Sequence, residues 1–175
     1  MSRIISLFTA AIFAAFCFAV AMPASAQFAN TQAGPQTGLA KSRLTIATPN
    51  GVRTFTVELA NTANSREIGM MWRAHVGRGE GMLFQFPTAQ RMSFWMKNTM
   101  IPLDIIYIRA NGTISQINRN AVPFSLTPIP GREPCIAVLE IGGGEAARQG
   151  LAVGQVIRHP IFRNVAPAVV RKKRR

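Results

Sequence analysis

The sequence predicts a mostly β fold, either an antiparallel sandwich or a distorted barrel of seven to eight short strands with two short helices. Three observations favour this class. Short runs alternate apolar and polar residues, 14 glycines and 11 prolines punctuate them without a period, and only two segments carry helical spacing. With 48% hydrophobic and 15% charged residues, the chain is too apolar to be disordered and can form a packed core.

The first two predicted strands form a hairpin. Residues 44–48 and 52–59 are its arms, and the Asn50-Gly51 step between them is a strong signal for a tight turn. Alternation in the second arm predicts that one of its faces is buried. Thr62 then caps a short helix with one apolar side, and a glycine-rich loop follows it.

The second half of the chain continues with short strands and turns. Asn111-Gly112 marks a further turn, and the proline-rich stretch 123–134 is predicted to be a long irregular connection. A brief helix at residues 145–149 ends at Gly150. The remaining predicted strands are residues 82–86, 92–97, 103–109, 113–119, 135–141 and 155–162.

The chain divides into four predicted segments. A basic residue, an apolar run and the small residues Ala24-Ser25-Ala26 follow one another in the order of a secretory signal, so we expect cleavage after Ala26. Because the apolar run is long, an uncleaved membrane anchor is the alternative. The segments are a signal peptide at 1–26, a flexible lead-in at 27–42, a single β domain at 43–163 and a basic tail at 164–175.

The signal predicts an exported protein, located in the periplasm or secreted. No stretch after Gln27 reaches the roughly 18 apolar residues needed to cross a bilayer, so we expect no membrane-spanning segment. Removal of the signal leaves Cys135 as the one cysteine, and no intramolecular disulfide can then form. The apolar neighbours of Cys135 predict a buried thiol.

Positive charge is concentrated at the C-terminus. The formal net charge is +13, and the run from Arg171 to Arg175 contributes five of these charges. Such a run can contact an anionic membrane surface or an acidic partner, or it can be a solvated tail. Export, together with the lack of a base-stacking or groove-reading motif, argues against nucleic acid as a partner.

Recognisable catalytic motifs are missing from the sequence. It has two histidines, no G-x-S-x-G, no H-E-x-x-H and no C-x-x-C, which removes the common hydrolase, zinc-protease and redox signatures. The sequence therefore favours a protein without enzymatic activity, and it predicts no cofactor. A hydrolase that uses Asp104, Glu58 or Glu140 as acid or base stays open as an alternative.

Three separated motifs carry a resemblance to a known family. They are Arg66-x-x-Gly69-x-Met71-x-Arg73, the string from Gly81 to Phe86 and the string from Phe94 to Ile105. In this order they closely resemble the prokaryotic family Domain of Unknown Function 192, over about residues 44–161. The resemblance implies a compact, mostly β exported domain without an established activity. The sequence departs from the family at Gly154-Gln155, where the family often has Gly-Asp.

Strand alternation divides the start of the third motif between two faces. Met92, Phe94 and Met96 share one face, and Ser93, Trp95 and Lys97 share the other. The motif therefore combines core residues with an unusual polar set, in which charged side chains stand inside an otherwise apolar segment.

Two interpretations of these charges remain open. Buried charges must be paired, so the first is a set of structural ion pairs, joining Lys97 to Asp104, or Arg66 and Arg73 to Glu58 or Glu140. The second is a pocket for a small polar or anionic ligand beside Trp95. The candidate ligand-binding residues are Arg66, Arg73, Trp95, Lys97, Asn98 and Asp104.

Methionine suggests a further alternative. All six methionines after the predicted signal fall within 31 residues, and thioethers in an exported protein suit Cu(I). The candidate ligands are Met92, Met96 and Met100, although methionine also fills irregular gaps in cores. We therefore predict an exported binding or accessory module with a polar pocket around residues 95–104. A Cu(I)-handling protein and a carboxylate-dependent hydrolase are the alternatives.

Overall fold

The computed structural model of the protein describes residues 34–165. Within these residues the fold is mostly β, as predicted, with nine strands and two α-helices. The predicted signal peptide and the run from Arg171 to Arg175 lie outside them. The strands are β1 (Lys41–Thr48), β2 (Gly51–Ala60), β3 (Glu80–Gln90), β4 (Ser93–Phe94), β5 (Leu103–Ile108), β6 (Ile114–Ala121), β7 (Ile129–Pro130), β8 (Cys135–Gly142) and β9 (Ile157–Arg158), and the helices are α1 (Ala63–Ile68) and α2 (Glu145–Arg148).

Seven of these strands form one curled, half-barrel sheet in the order β6-β5-β8-β3-β2-β1-β9, and β4 pairs with β7 in a small second sheet. The pairing of β2 with β3 is parallel, whereas the other strand pairs in residues 34–165 are antiparallel. Parallel neighbours need a crossover connection, and residues 61–79, which include α1, provide it. This connection carries α1 over one face of the sheet.

The predicted hairpin is confirmed. Strands β1 and β2 pair antiparallel with Thr48 opposite Gly51, so Pro49 and Asn50 form a two-residue loop. Gly51 has a φ of 98°, a conformation that residues with a Cβ rarely adopt, and this explains the glycine after Asn50.

The sheet has a hydrophobic core on each face. The first core includes Phe55, Leu83, Ile106 and Leu139. The second includes Phe84, Met96, Tyr107 and Val138. Because side chains alternate along a strand, neighbouring residues of β5 and β8 belong to different cores. This alternation decides which polar residues can meet.

Both predicted helices are present. Thr62 caps α1: its hydroxyl accepts a hydrogen bond from the Ser65 N–H at 3.1 Å, and the Ser65 hydroxyl accepts one from the Thr62 N–H at 3.0 Å. Helix α2 lies at the predicted position and is followed by Gly150, whose φ is 72°. No helix in residues 34–165 is long and apolar enough to span a bilayer.

Three strands differ in extent from their predictions. The predicted strand 92–97 is reduced to β4, and the chain turns after Phe94. Strand β3 continues past Pro87. The β3–β8 ladder shifts register between Gln85 and Gln90, so no backbone hydrogen bond from the proline nitrogen is needed there. The predicted last strand shortens to β9, since Pro160 begins a 3₁₀ turn.

The ordered region begins before the predicted domain boundary at residue 43. Strand β1 starts at Lys41, and the buried Gln36 side chain donates hydrogen bonds to the carbonyl oxygens of Ser65 at 2.9 Å and Gly69 at 2.8 Å. Part of the predicted lead-in therefore packs on the end of α1. Cys135 is buried, as predicted, with its Sγ 3.2 Å from the Ser115 hydroxyl.

Candidate functional site

A small cleft lies between α1 and the turn that follows β4. Its volume is about 30 Å³, and we call it the Trp95 cleft. Three of the predicted ligand-binding residues line it, namely Arg66, Trp95 and Lys97. Thr99 and Glu140 add polar groups, and Phe84 and Met70 belong to its apolar wall.

The end of α1 shapes the wall of this cleft. Gly69 ends the helix with φ 51° and ψ −130°, and a Cβ there would lie 3.1 Å from the Phe84 ring. Both observations require glycine at this position. Within the motif that begins at Arg66, the arginine therefore lines the cleft and Gly69 ends the helix three residues later.

Glu140 is the unusual residue of the cleft. Its side chain leaves β8 on the face of the second core and is 4% exposed, yet it lines the cleft. No side-chain hydrogen bond or ion pair of Glu140 occurs among residues 34–165. Burial raises the pKa of Glu140 to about 8, so its carboxyl group is mostly protonated at neutral pH. A protonated carboxyl can donate a hydrogen bond into the cleft.

The two basic side chains of the cleft, Arg66 and Lys97, use only some of their hydrogen-bond donors within the domain. The Arg66 guanidinium donates to the Gln85 carbonyl at 2.9 Å and stands 5.0 Å from the centre of the Phe86 ring. The Lys97 ammonium lies 5.2 Å from the centre of the Trp95 ring. Both cations keep free donors, and Trp95 is 49% exposed.

Arg73 lines a neighbouring cleft of about 40 Å³, which shares Met70 with the first. It forms an ion pair with Glu58, as one of the sequence alternatives predicted, and donates to the Gln36 carbonyl at 3.1 Å. Its Nε is buried without a hydrogen-bond partner. Arg73 therefore lies beside the Trp95 cleft and not in its lining.

Asp104 lies on the other face of the sheet from Glu140, because it shares its side of β5 with Ile106 and Ile108 of the first core. Its fully buried carboxylate accepts three backbone N–H groups, from Asn120 at 2.8 Å, Gly144 at 3.1 Å and Ala146 at 2.8 Å. It thus holds the start of α2. The predicted Lys97–Asp104 ion pair does not form, because the sheet separates the exposed Lys97 from this carboxylate.

Asn98 supports the cleft from outside its lining. It adopts a left-handed backbone with φ 55°, which asparagine tolerates better than most residues. Its carbonyl accepts the Trp72 N–H at 2.8 Å, and its amide nitrogen is 3.8 Å from the Met71 sulfur. Asn98 therefore ties the turn after β4 to the chain after α1.

The family model of DUF192, described as an uncharacterized ACR, matches residues 45–159. The chain belongs to this family. The resemblance carried by the three sequence motifs is thus confirmed, and each motif of this DUF192 domain contributes a residue to the Trp95 cleft, with Arg66, Phe84 and Trp95 as examples.

Solved structures are also similar to this DUF192 domain. A protein from Sinorhizobium meliloti, described provisionally as a transcription regulator, is 38% identical with a TM-score of 0.69, and the match covers 72% of this chain and 98% of that one. A protein of unknown function from Novosphingobium aromaticivorans is 40% identical with a TM-score of 0.69, and the match covers 71% of this chain and 89% of that one. No curated protein matches the chain.

The three candidate methionine ligands differ in their burial. Met92 and Met96 are buried in the second core, whereas Met100 is 40% exposed. Within residues 34–165, no group of three His, Cys, Asp or Glu side chains is placed to hold a metal ion. The geometry gives the Cu(I) alternative no support.

The hydrolase alternative also lacks its geometry. Neither of the two clefts described above is lined by two of its three candidate carboxylates. Glu140 lines the Trp95 cleft, Glu58 lines the neighbouring one in an ion pair, and Asp104 is on the opposite face of the sheet. Two acids with separate roles at one reacting bond are not provided by these residues.

The sequence predicts Glu140 as an ion-pair partner or as the acid or base of a hydrolase, and not as a ligand-binding residue. One signal marked it: the run from Cys135 to Ile141 is apolar except at this position. An acid inside a buried strand is costly and therefore points to a special role.

Proposed function

We propose that this domain is a binding module for a small anionic ligand, which is held in the Trp95 cleft. The observation that carries the proposal is Glu140, a largely buried acid whose carboxyl group has no hydrogen-bond or ion-pair partner among residues 34–165 and lines a cleft with two basic residues. A buried polar group without a partner destabilises the fold, and such groups persist where a ligand satisfies them. A ligand oxygen would satisfy Glu140.

The charge of the cleft favours an anion. Arg66 and Lys97 bring basic groups to the cleft, Glu140 is mostly neutral below its raised pKa, and the exposed Glu67 is the other acidic residue of the lining. A carboxylate of the ligand can accept hydrogen bonds from both cations and from the protonated Glu140. The volume of about 30 Å³ suits one such group, while the rest of the ligand would lie over Trp95.

A titration with benzoate tests the proposal, because this probe keeps one negative charge at neutral and alkaline pH and offers a ring to Trp95. Binding followed by backbone amide NMR should weaken by roughly tenfold between pH 7 and pH 9, as Glu140 ionises and repels the probe. Glu140→Gln keeps a neutral donor, so its binding should stay constant. Burial raises the pKa of the neighbouring Tyr107 hydroxyl, so this group stays protonated over the tested pH range.

Lys97→Met should weaken benzoate binding several-fold at pH 7 without loss of stability, since Lys97 is exposed. Lys41→Met is the matched control, because Lys41 lines the neighbouring cleft. An equal loss of benzoate affinity in both variants would show that only the overall charge of the protein matters, and this would reject the proposed site. Native mass spectrometry of protein purified from its own cells would then identify the retained ligand.

A further inference from the structure

An apolar patch covers two adjoining loops beside the Trp95 cleft. It consists of Trp95, Met100, Val122, Phe124 and Leu126, which we call the Phe124 patch. These are five of the nine exposed large hydrophobic side chains in residues 34–165, with exposures from 40% to 67%. The other four are Val52, Val153, Val156 and Val165. We propose that the Phe124 patch docks the protein onto an anionic lipid surface.

The two loops form one surface. The Met96 N–H donates to the Ser125 carbonyl at 2.9 Å, and the Phe124 N–H donates to the Thr99 carbonyl at 3.0 Å. These hydrogen bonds join the turn after β4 to the loop after β6. The apolar side chains of both loops are therefore held on one surface.

The backbone of Phe124 is strained. Its φ is 60°, a left-handed conformation that is unfavourable for a bulky aromatic residue. Its side chain is 58% exposed, so packing within the domain does not account for the strain. Strained residues that are kept by the surrounding fold cluster at binding surfaces. Phe124 therefore combines a strained backbone with an aromatic ring that is exposed to solvent.

The charge around the patch is positive. Residues 81–132 contain five basic residues and one acid, Asp104, which is fully buried. One of the five, Arg109, is paired with Glu133, and Lys97 lies over the Trp95 ring within the patch itself. The exposed Glu67, which lies outside this segment, lines the Trp95 cleft together with Trp95 and Lys97. The formal net charge of +13 for the whole chain favours contact with an anionic surface.

Lipid is the occupant that this combination fits. Trp and Phe side chains enter the interface between head groups and acyl chains, and a neighbouring lysine pairs with anionic head groups. The positively charged surroundings argue for an anionic membrane, whereas an acidic protein would need hydrogen-bonding groups that these five side chains, apart from the Trp95 indole, do not offer. The proposal does not depend on a ligand in the Trp95 cleft.

Sedimentation with vesicles tests this proposal. The chain from Gln27 onward contains all of residues 34–165 and lacks the apolar run of the predicted signal, which would bind lipid by itself. It should bind vesicles of equimolar phosphatidylcholine and phosphatidylglycerol, and binding should weaken with salt or with phosphatidylcholine alone. In a Trp72→Phe background, the Trp95 emission should shift to shorter wavelength on binding.

Phe124→Asn with Leu126→Ser should lower vesicle affinity at least about tenfold. Both side chains are exposed and asparagine tolerates the left-handed backbone, so the fold is retained; Val122→Ser with Leu126→Ser is the second variant. Val52→Ser with Val153→Ser is the control of equal exposure, and it should bind like the parent chain. These variants leave Arg66, Lys97 and Glu140 intact, so benzoate binding should not change.

Three results would overturn the proposal. One is the absence of vesicle binding by the parent chain at low salt. Another is vesicle binding that survives both patch variants but is lost when residues 171–175 are deleted, which would assign the contact to the tail. The third is a dimer of the parent chain in sedimentation equilibrium that the patch variants abolish, which would assign the patch to a second copy of the chain.

Discussion

Glu140 places a carboxyl group where the surrounding side chains of the second core are apolar. Burial raises its pKa from the ordinary value of 4.5 to about 8. The unfolded chain therefore loses this proton at lower pH than the folded one. Stability must fall as pH rises from about 4.5 towards 8, and the loss is complete above the folded pKa.

Glu140→Gln should remove this pH dependence. We expect the variant to gain roughly 3 kcal/mol more over the parent chain at pH 8 than at pH 5, because each unit of pKa shift corresponds to about 1.4 kcal/mol. Urea denaturation at both pH values measures the difference. Identical profiles for the two proteins would show that the Glu140 carboxyl is solvated in the folded state.

Asp104, unlike Glu140, is a buried acid that stabilises the fold, because its carboxylate accepts three backbone hydrogen bonds. Asp104→Asn replaces one acceptor oxygen by a donor and removes the charge, so one of three buried N–H groups loses its acceptor. The expected cost is on the order of 2–4 kcal/mol. Lys97→Met should leave the melting temperature almost unchanged, since Lys97 is exposed and unpaired with any acid in residues 34–165.

The double variant decides between the two accounts of Asp104. If its partners are backbone groups, the effects of Lys97→Met and Asp104→Asn should add, with a coupling energy near zero. Recovery of stability in the double variant would instead revive the ion pair that the sequence suggested.

At the scale of elements, polar contacts join the chain after α1 to neighbouring elements. Arg73 provides one of them through its ion pair with Glu58 on β2, and Asn98 provides another through the Trp72 N–H. Both side chains of the Arg73–Glu58 pair are less than 20% exposed. A pair so shielded from water interacts more strongly than a surface pair.

A double-mutant cycle with Arg73→Met and Glu58→Gln should therefore give a coupling energy on the order of 1–2 kcal/mol. The Arg109–Glu133 pair is the internal control, because its side chains are 40% and 37% exposed. Its cycle, with Arg109→Met and Glu133→Gln, should give a smaller coupling energy, because water screens the exposed pair. Equal coupling in the two cycles would mean that burial does not strengthen the first pair.

At the scale of the whole molecule, the described residues already contain a complete sheet with a core on each face. Near the end of the described residues, the Asn164 amide donates to the Ile157 carbonyl at 2.8 Å and the Asn111 carbonyl at 3.1 Å. The predicted tail 164–175 thus begins with a residue that belongs to the domain.

Deleting residues 171–175 should leave the melting temperature within about 2 °C of the parent chain, because the run contains no apolar residue to bury. Calorimetry of the chain from Gln27 with and without these residues measures this. A large decrease in melting temperature would show that the basic run packs against the domain.

Local patterns were enough for several features. The Asn50-Gly51 turn, the Thr62 cap, the burial of Met92 and Met96 and the buried Cys135 thiol depend on neighbours in sequence, and all are observed. The extent of the strand after Met92 was overestimated, because its alternation continues after the chain has turned away from β7.

By itself, the sequence determined the mostly β class and the family, since these rest on periodicity and on motifs. Of the six residues that it grouped as ligand-binding, Arg66, Trp95 and Lys97 line one cleft, whereas Arg73, Asn98 and Asp104 do not. Only the tertiary structure separated Asp104 from this group and added Glu140. The physical reason is the sheet: a residue's face depends on how β5, β8 and β3 align, and a shift of one residue reverses it. That alignment is fixed by contacts between distant segments, which no local pattern contains.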